Sequence, residues 1–194
     1  MKKDREPTYS FEILTVVLIF IDTVLAWVSI AALPVAAAPG VSVLYVAVAF
    51  MILFTLWFGA YGAIAAYVGT LIGGGFLSGI DPRVAIFWAV AGLLQALIPL
   101  IALRSFDVDL TLSNTRDWTY LLLFGVLINN FIGAAWGSIT LAIGGVIPNS
   151  AITGVLFSWF LGDVIVTIII LPIALSRLTM RINKSRLFVK NYWN

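Results

Sequence analysis

Long apolar stretches alternate along this chain with short polar ones, and their lengths count the helices. A helix needs ~20 apolar residues to cross the hydrocarbon of a bilayer. Residues 10–33 supply one such stretch. Residues 41–79 carry no charge at all. As a single helix rising ~1.5 Å per residue they would be nearly twice as long as the hydrocarbon is thick, so the chain must turn back. Gly59-Ala60-Tyr61-Gly62 is the natural corner, which predicts helices over 41–58 and 62–79. A fourth helix is expected over 84–103, with Asp81 as its N-cap and Pro82 at the first helical position. A fifth over 118–143 is entered through Ser113-Asn114-Thr115, and a sixth over 151–176 through Pro148-Asn149-Ser150. The last two are long enough to tilt.

Composition turns this pattern into a membrane reading. Of 194 residues, 62% are hydrophobic and only 10% are charged, against ~25% charged in a soluble domain. The mean hydropathy is +1.09. One globule cannot hide that much apolar surface, so the expected fold class is an all-α, polytopic integral membrane bundle of six transmembrane helices, multi-pass in the cell membrane. The run after the charged start, Met1 to Pro7, is too long for a signal-peptide core and is read as a retained helix. Lys and Arg set the orientation. Lys2, Lys3 and Arg5 stand at one end; Arg177, Arg181, Lys184, Arg186 and Lys190 stand at the other. Both termini are therefore expected in the cytoplasm, which requires an even number of crossings. The loop 104–117, with Arg104 and Arg116, falls inside. The uncharged loops 34–40 and 144–150 fall outside, and Asp81 with Arg83 is the one external charged pair. No linker divides the chain, so 1–194 is one transmembrane domain with a basic tail, 177–194. The tail is expected to hold orientation and touch anionic lipid, with Tyr192-Trp193 at the headgroups.

Lipid gives no hydrophobic drive for helix association, so close packing relies on small residues. Three stripes at four-residue spacing stand out: Ala65, Gly69 and Gly73; Gly125, Asn129, Gly133 and Gly137; Gly154, Ser158 and Gly162. They read first as packing seams within one chain, and second as a dock for a partner protein.

The chemistry is narrow. The chain has no Cys and no His, which removes disulfides, thiol chemistry, the usual zinc and haem ligands and the commonest general base. No phosphate loop, HExxH, nucleophile-base pair or nucleic-acid signature is present. No cofactor, metal or catalytic residue is expected, and the chain reads as a non-enzyme. What remains is a set of polar groups near the middle of four helices: Asp22, Gln95, Asn129 with Asn130, and Asp163. No charge breaks residues 118–162 before Asp163 arrives. An ionisable group at that depth costs ~2.5–3.5 kcal/mol by insertion scales and marks a functional site by default. No Lys or Arg stands at this depth to pair either carboxylate. For Gln95 and Asn130 the plain alternative is interhelical hydrogen-bond glue. Intramembrane aspartyl chemistry would need Asp22 and Asp163 face to face. Trp159 lies one turn before Asp163 on the same face, so it either packs or helps to cradle a cation or a flat ring. Trp27, Trp57, Trp88 and Trp136 read mostly as interfacial anchors or lipid-facing bulk.

Phe157-Ser158-Trp159-Phe160-Leu161-Gly162-Asp163 followed by Pro172 resembles the closing helix of the first class of membrane-associated sensor domains, the polytopic input modules of many histidine kinases and cyclic-dinucleotide enzymes. The family pattern is a Trp, a Gly-Asp pair, a Gly three residues on and a Pro nine residues after the Asp. Trp159, Gly162, Asp163 and Pro172 match, and Val166 stands where the family has the later Gly. Leu112 to Asp117, and Leu93-Leu94-Gln95-Ala96 followed by Arg104, fit the same likeness. Tyr45-Val46 stands where the family favours a Trp-Pro pair. The resemblance covers roughly 10–177 and implies a module that perceives a small molecule or membrane state. Members usually continue into a kinase or cyclase, so the resemblance implies a free-standing input module or a relative reused for another role.

The chain also resembles the substrate-capture subunits of energy-coupling-factor vitamin transporters in size, helix number and termini. In that likeness the outer loops Leu33–Ser42, Leu77–Arg83 and Gly144–Ser150 would close over a pocket. Ala32 and Ala36, with Pro34 between them, would stand for the family's alanine-x-x-x-alanine contact. The expected role is a membrane sensor or input module. It would bind a small molecule or ion through Asp163, Trp159, Asn129, Asn130, Gln95 and Asp22, and relay to a cytoplasmic protein partner. The alternative is a capture subunit.

Overall fold

Local chemistry sets the helix boundaries in the computed structural model, which describes residues 9–35 and 38–193. Lys2, Lys3, Arg5 and Ala36 lie outside the described residues. Six helices carry the fold: α1 Tyr9–Ala32, α2 Ala47–Phe58, α3 Ala60–Ser78, α4 Pro82–Ser105, α5 Thr115–Ile143 and α6 Asn149–Ile182. Asp81 caps α4 by accepting from the Arg83 N–H at 2.8 Å, with Pro82 at the first helical position. Asn114 caps α5 by accepting from the Asp117 N–H at 3.0 Å. Gly59 makes the α2–α3 corner at φ 61°, ψ −134°. Any side chain there would collide with Val189 and the Tyr192 carbonyl. Nearby, the Thr111 N–H and hydroxyl and the Ser113 hydroxyl donate to Asp109 and hold its carboxyl below the usual carboxylate range.

Five of these helices are long and apolar enough to cross a membrane. The exception is α2, expected over 41–58 but helical only from Ala47, with 12 residues. It spans about 18 Å at 1.5 Å per residue. A short apolar run such as 41–46 is compatible with any buried conformation, and periodicity cannot tell them apart. Here it forms the end of a re-entrant segment. The Val35 N–H donates to the Val41 carbonyl (2.9 Å) and the Val43 N–H to the Leu33 carbonyl (2.8 Å). The Ser42 hydroxyl donates to the Ser29 carbonyl (2.8 Å), and the Val46 N–H donates to the Ser29 hydroxyl (3.1 Å). Irregular backbone survives at depth when it is buried in protein and its polar groups are met. The Val43 carbonyl packs on Gly162 of α6, about 20 Å along that helix from its start.

Short α2 is the centre of the bundle. Val48, Met51, Ile52, Leu53 and Leu56 are all buried, as expected of a helix that is hydrophobic all round. It packs against α1, α3, α4 and α6. Peripheral α1 and α6 turn Phe20, Val24, Leu161, Ile165 and Ile169 outward, an apolar belt suited to lipid. The small-residue stripes are largely seams within the chain. Gly69 and Gly73 admit Asp22, Thr23 and Ala26 of α1. Gly133 lies against Gln95, Gly137 against Trp159 and Gly162 against Val43. Gly154 faces open space.

Both ends of the described chain lie at one end of the bundle. Phe11 stacks on Tyr61 at 4.8 Å, and Trp193 meets the same ring edge-on at 5.7 Å. The tail departs from expectation. Helix α6 runs on to Ile182, so Arg177 and Arg181 belong to it. The following residues return to the bundle. The Val189 N–H donates to the Trp57 carbonyl (2.9 Å), and the Ala60 N–H donates to the Tyr192 carbonyl (2.8 Å). Arg104 donates to the Val189 carbonyl (2.9 Å) and lies over the Tyr192 ring at 5.2 Å. The reason is that the α2–α3 corner leaves backbone groups that neither helix can satisfy.

Gly162→Ala is expected to lower stability by about 1–3 kcal/mol, because the added methyl drives into the Val43 carbonyl. Gly154→Ala, facing open space, is expected to be neutral or mildly stabilising. Thermal unfolding in detergent, followed by intrinsic tryptophan fluorescence, compares the two; equal midpoints would refute the tight contact.

Candidate functional site

Two apolar clusters fill the bundle, and a polar layer separates them. One cluster surrounds α2 and includes Leu100, Leu121, Val126 and Leu171. The other surrounds Trp88 and Trp159 with Ala134, Leu141 and Ile147. Between them lie Gln95, Asn129, Asn130, Asp163 and Thr167, each fully buried at 0% exposure.

Asp163 points into this layer. Its Oδ2 accepts from Gln95 Nε2 at 2.6 Å and from Trp159 Nε1 at 2.8 Å. Gln95 Nε2 also donates to Asn130 Oδ1 (3.2 Å). Asn130 Nδ2 donates to the Val126 carbonyl (2.8 Å) and to Thr167 Oγ1 (2.9 Å), and Thr167 donates back to the Asp163 carbonyl (2.7 Å). Asn129 Nδ2 donates to Asn130 Oδ1 (3.2 Å) and to the Gln95 carbonyl (3.3 Å). That last bond has a cause in the sequence. Pro99 has no N–H to give the carbonyl four residues before it, and Asn129 supplies the missing donor from the next helix.

Three acceptors of this network have no partner within the protein: Asp163 Oδ1, Gln95 Oε1 and Asn129 Oδ1. The layer is short of donors, which is the condition that attracts a proton, a water molecule or a cation. A cavity of about 10 Å³ borders it, lined by Gly40, Val41, Ser42, Tyr45, Thr70, Trp88, Gln95 and Trp159. That is room for about one water. Asp163 meets the cavity through its two donors, Gln95 and Trp159.

The structure thus brings together five of the six residues singled out from the sequence: Asp163, Trp159, Asn129, Asn130 and Gln95. Asp22 stands apart. It is buried in the seam between α1 and α3, with both oxygens unpartnered and Gly69 packed on its Cβ. It does not share hydrogen bonds with Asp163. The Trp159 ring is packed against Gly137 and tilted on Trp88 at 5.6 Å. It serves the carboxylate with its N–H, and its face is not open as a cradle. Thr167, Tyr45, Thr70, Trp88 and Ser42 were not anticipated. Thr167 lies one turn beyond Asp163, and its position carried the signal. The others reach the site through the re-entrant segment and through helix packing, which periodicity does not report. Among the described residues no three His, Cys, Asp or Glu side chains gather as metal ligands. No family model, curated protein or solved structure matches the chain.

Trp159→Phe removes one of two donors to a buried carboxylate. It is expected to cost about 1–3 kcal/mol in reversible unfolding in micelles, while Trp27→Phe, on an outward face, changes stability by less than about 0.5 kcal/mol. Equal costs would show that the indole N–H contributes nothing.

Proposed function

We propose that this chain is a non-enzymatic membrane sensor or input module that takes up a small molecule or ion in its polar layer and passes the change to a cytoplasmic protein partner. Six spans with both termini in the cytoplasm suit the distribution of Lys and Arg, with short α2 and its re-entrant segment together counted as one crossing. The observation that carries the reading is Asp163: a carboxylate turned into the bundle, with one oxygen held by Gln95 and Trp159 and the other unpartnered. Glue between helices needs no ionisable group.

A route to the cytoplasmic end is continuous. Helix α6 carries Asp163 and, about 24 Å further along, Thr179, whose hydroxyl accepts from Trp57 Nε1 at 3.1 Å. Trp57 also supplies the carbonyl that receives the tail at Val189. A ligand can shift this assembly only through unequal affinity for two packings. Donor-poor Asp163, Gln95 and Asn129 supply that inequality, because filling their vacant acceptors changes the α4–α5–α6 contact. The residues that resemble the sensor family, Trp159, Gly162, Asp163 and Pro172, lie on the helix that would make this link.

One observation favours the alternative, a substrate-capture subunit. Gly40, Val41, Ser42 and Tyr45 of the re-entrant segment line the cavity from the end opposite the tail, where a capture lid would lie. The volume beneath it, water-sized, favours a sensor of small species over a vitamin carrier.

The native chain lacks Cys, so Lys190→Cys places a single spin label on the exposed edge of the docked tail. In nanodiscs, label mobility is expected to change when pH or the monovalent cation is varied. The response should vanish in Asp163→Asn, and Arg104→Ala should leave the label mobile throughout. A label indifferent to every condition, or a response that survives Asp163→Asn, would sink the sensor reading. A vitamin-sized molecule retained through purification and seen by native mass spectrometry would establish the alternative.

A further inference from the structure

The cavity beside the polar layer has a more specific chemistry. Three of its lining residues carry a buried polar atom without a partner in the protein: Trp88 Nε1, Tyr45 Oη and Gln95 Oε1. One is a donor only, one an acceptor only, and one can act as either. Their complement matches one water, which can accept from Trp88 and Tyr45 and donate to Gln95. Three hydrogen bonds is the usual complement of a buried water, and the cavity of about 10 Å³ holds about one. The volume turns away an organic molecule. The Trp88 N–H, with its positive end bare, disfavours a metal cation.

Resting on the reading that Asp163 is the group through which the bundle responds, we propose that this cavity is a one-water site and that the species taken up beside it is a proton, held on Asp163. The Gln95 amide links the two. Its Nε2 faces the carboxylate and its Oε1 is left for the water, an orientation that suits the ionised acid. A proton on Oδ2, the oxygen that faces Gln95, has to be donated, and turning the amide by half a revolution presents Oε1 to it. That turn withdraws Nε2 from Asn130 Oδ1 and presents it to the water, which then accepts from Trp88 and Gln95 and donates to Tyr45 Oη. The contact of α4 with α5 is thereby tied to the protonation state.

The titratable neighbours are few. Tyr45, ahead of α2, faces Thr70 without a well-formed hydrogen bond to it and lies within electrostatic reach of both Asp163 and Asp22. Helices α3, α4 and α5 present Thr70, Gln95, Asn129 and Asn130, none of which titrates. Arg and Lys are confined to the helix ends and the tail.

Infrared difference spectroscopy of the full chain in nanodiscs tests this during a pH titration. A C=O band of a protonated carboxylic acid should titrate in the wild type, vanish in Asp163→Asn and persist in Asp22→Asn. Tyr45→Phe removes only the hydroxyl that orients the water, and should move the midpoint about five- to tenfold in proton concentration. Trp88→Phe should do the same, with circular dichroism confirming the fold of each. The proposal is overturned if no Asp163-dependent band titrates while the fold is intact, if neither variant moves the midpoint, or if the band responds to Na⁺ or K⁺ at constant pH. The band reports on the site whether or not the tail moves. A titrating band with a silent tail would defeat the relay and leave the proton site standing. A responding tail with no such band would do the reverse.

Discussion

The bond between Gln95 and the Asp163 carboxylate joins α4 to α6 in the polar layer between the two apolar clusters. A carboxylate surrounded by hydrocarbon must be solvated by its own protein. Gln95 supplies that solvation and at the same time reaches Asn130 of α5, so one side chain ties three helices together. The residues that secure Gln95 follow from this demand. Gly133 leaves room for its side chain, Asn129 caps the carbonyl that Pro99 cannot serve, and Thr167 holds Asn130 in register. Half-satisfied polar networks are costly in an apolar core. The three acceptors left without partners are therefore the most informative feature of the interior.

A second constraint radiates from α2. At 12 residues it cannot span the hydrocarbon alone, and each of its ends is completed by irregular backbone that the rest of the chain must satisfy. On one side the re-entrant segment leans on Ser29, Ser42 and Gly162 and brings Tyr45 to the cavity. On the other side the tail meets the Trp57 carbonyl and the Ala60 N–H, with Arg104 holding the tail in place. The short central helix thus places the polar layer within reach of one end through the re-entrant segment and of the other through Trp57 and Thr179.

Much of the frame was legible in the chain. Asp81-Pro82, Asn114 and Gly59 marked boundaries correctly, because capping and left-handed corners are local chemistry that needs no neighbours. The residues that gather at the site were legible as well, since a polar side chain midway along an apolar helix has to face inward, and helices of similar length put such groups at similar depth. Asp22 obeyed the same rule and still went elsewhere. Depth is written in the sequence, but the direction in which a helix turns its polar face depends on which neighbour offers a small residue, here Gly69.

By itself, then, the sequence determined a membrane-suited bundle of apolar helices, their corners, and the depth of the buried polar groups. These properties follow from backbone hydrogen bonding and from transfer between water and hydrocarbon, which act on each segment alone. Only the tertiary structure decided that residues 41–46 are not helix, that the tail folds back, that Gln95 is the hub and that the space beside it is the size of one water. Each of those outcomes depends on partners far apart in the chain: Val43 against Gly162, Val189 against Trp57, Gln95 against Asp163. No local pattern encodes such a meeting, because its energy exists only once the helices are packed.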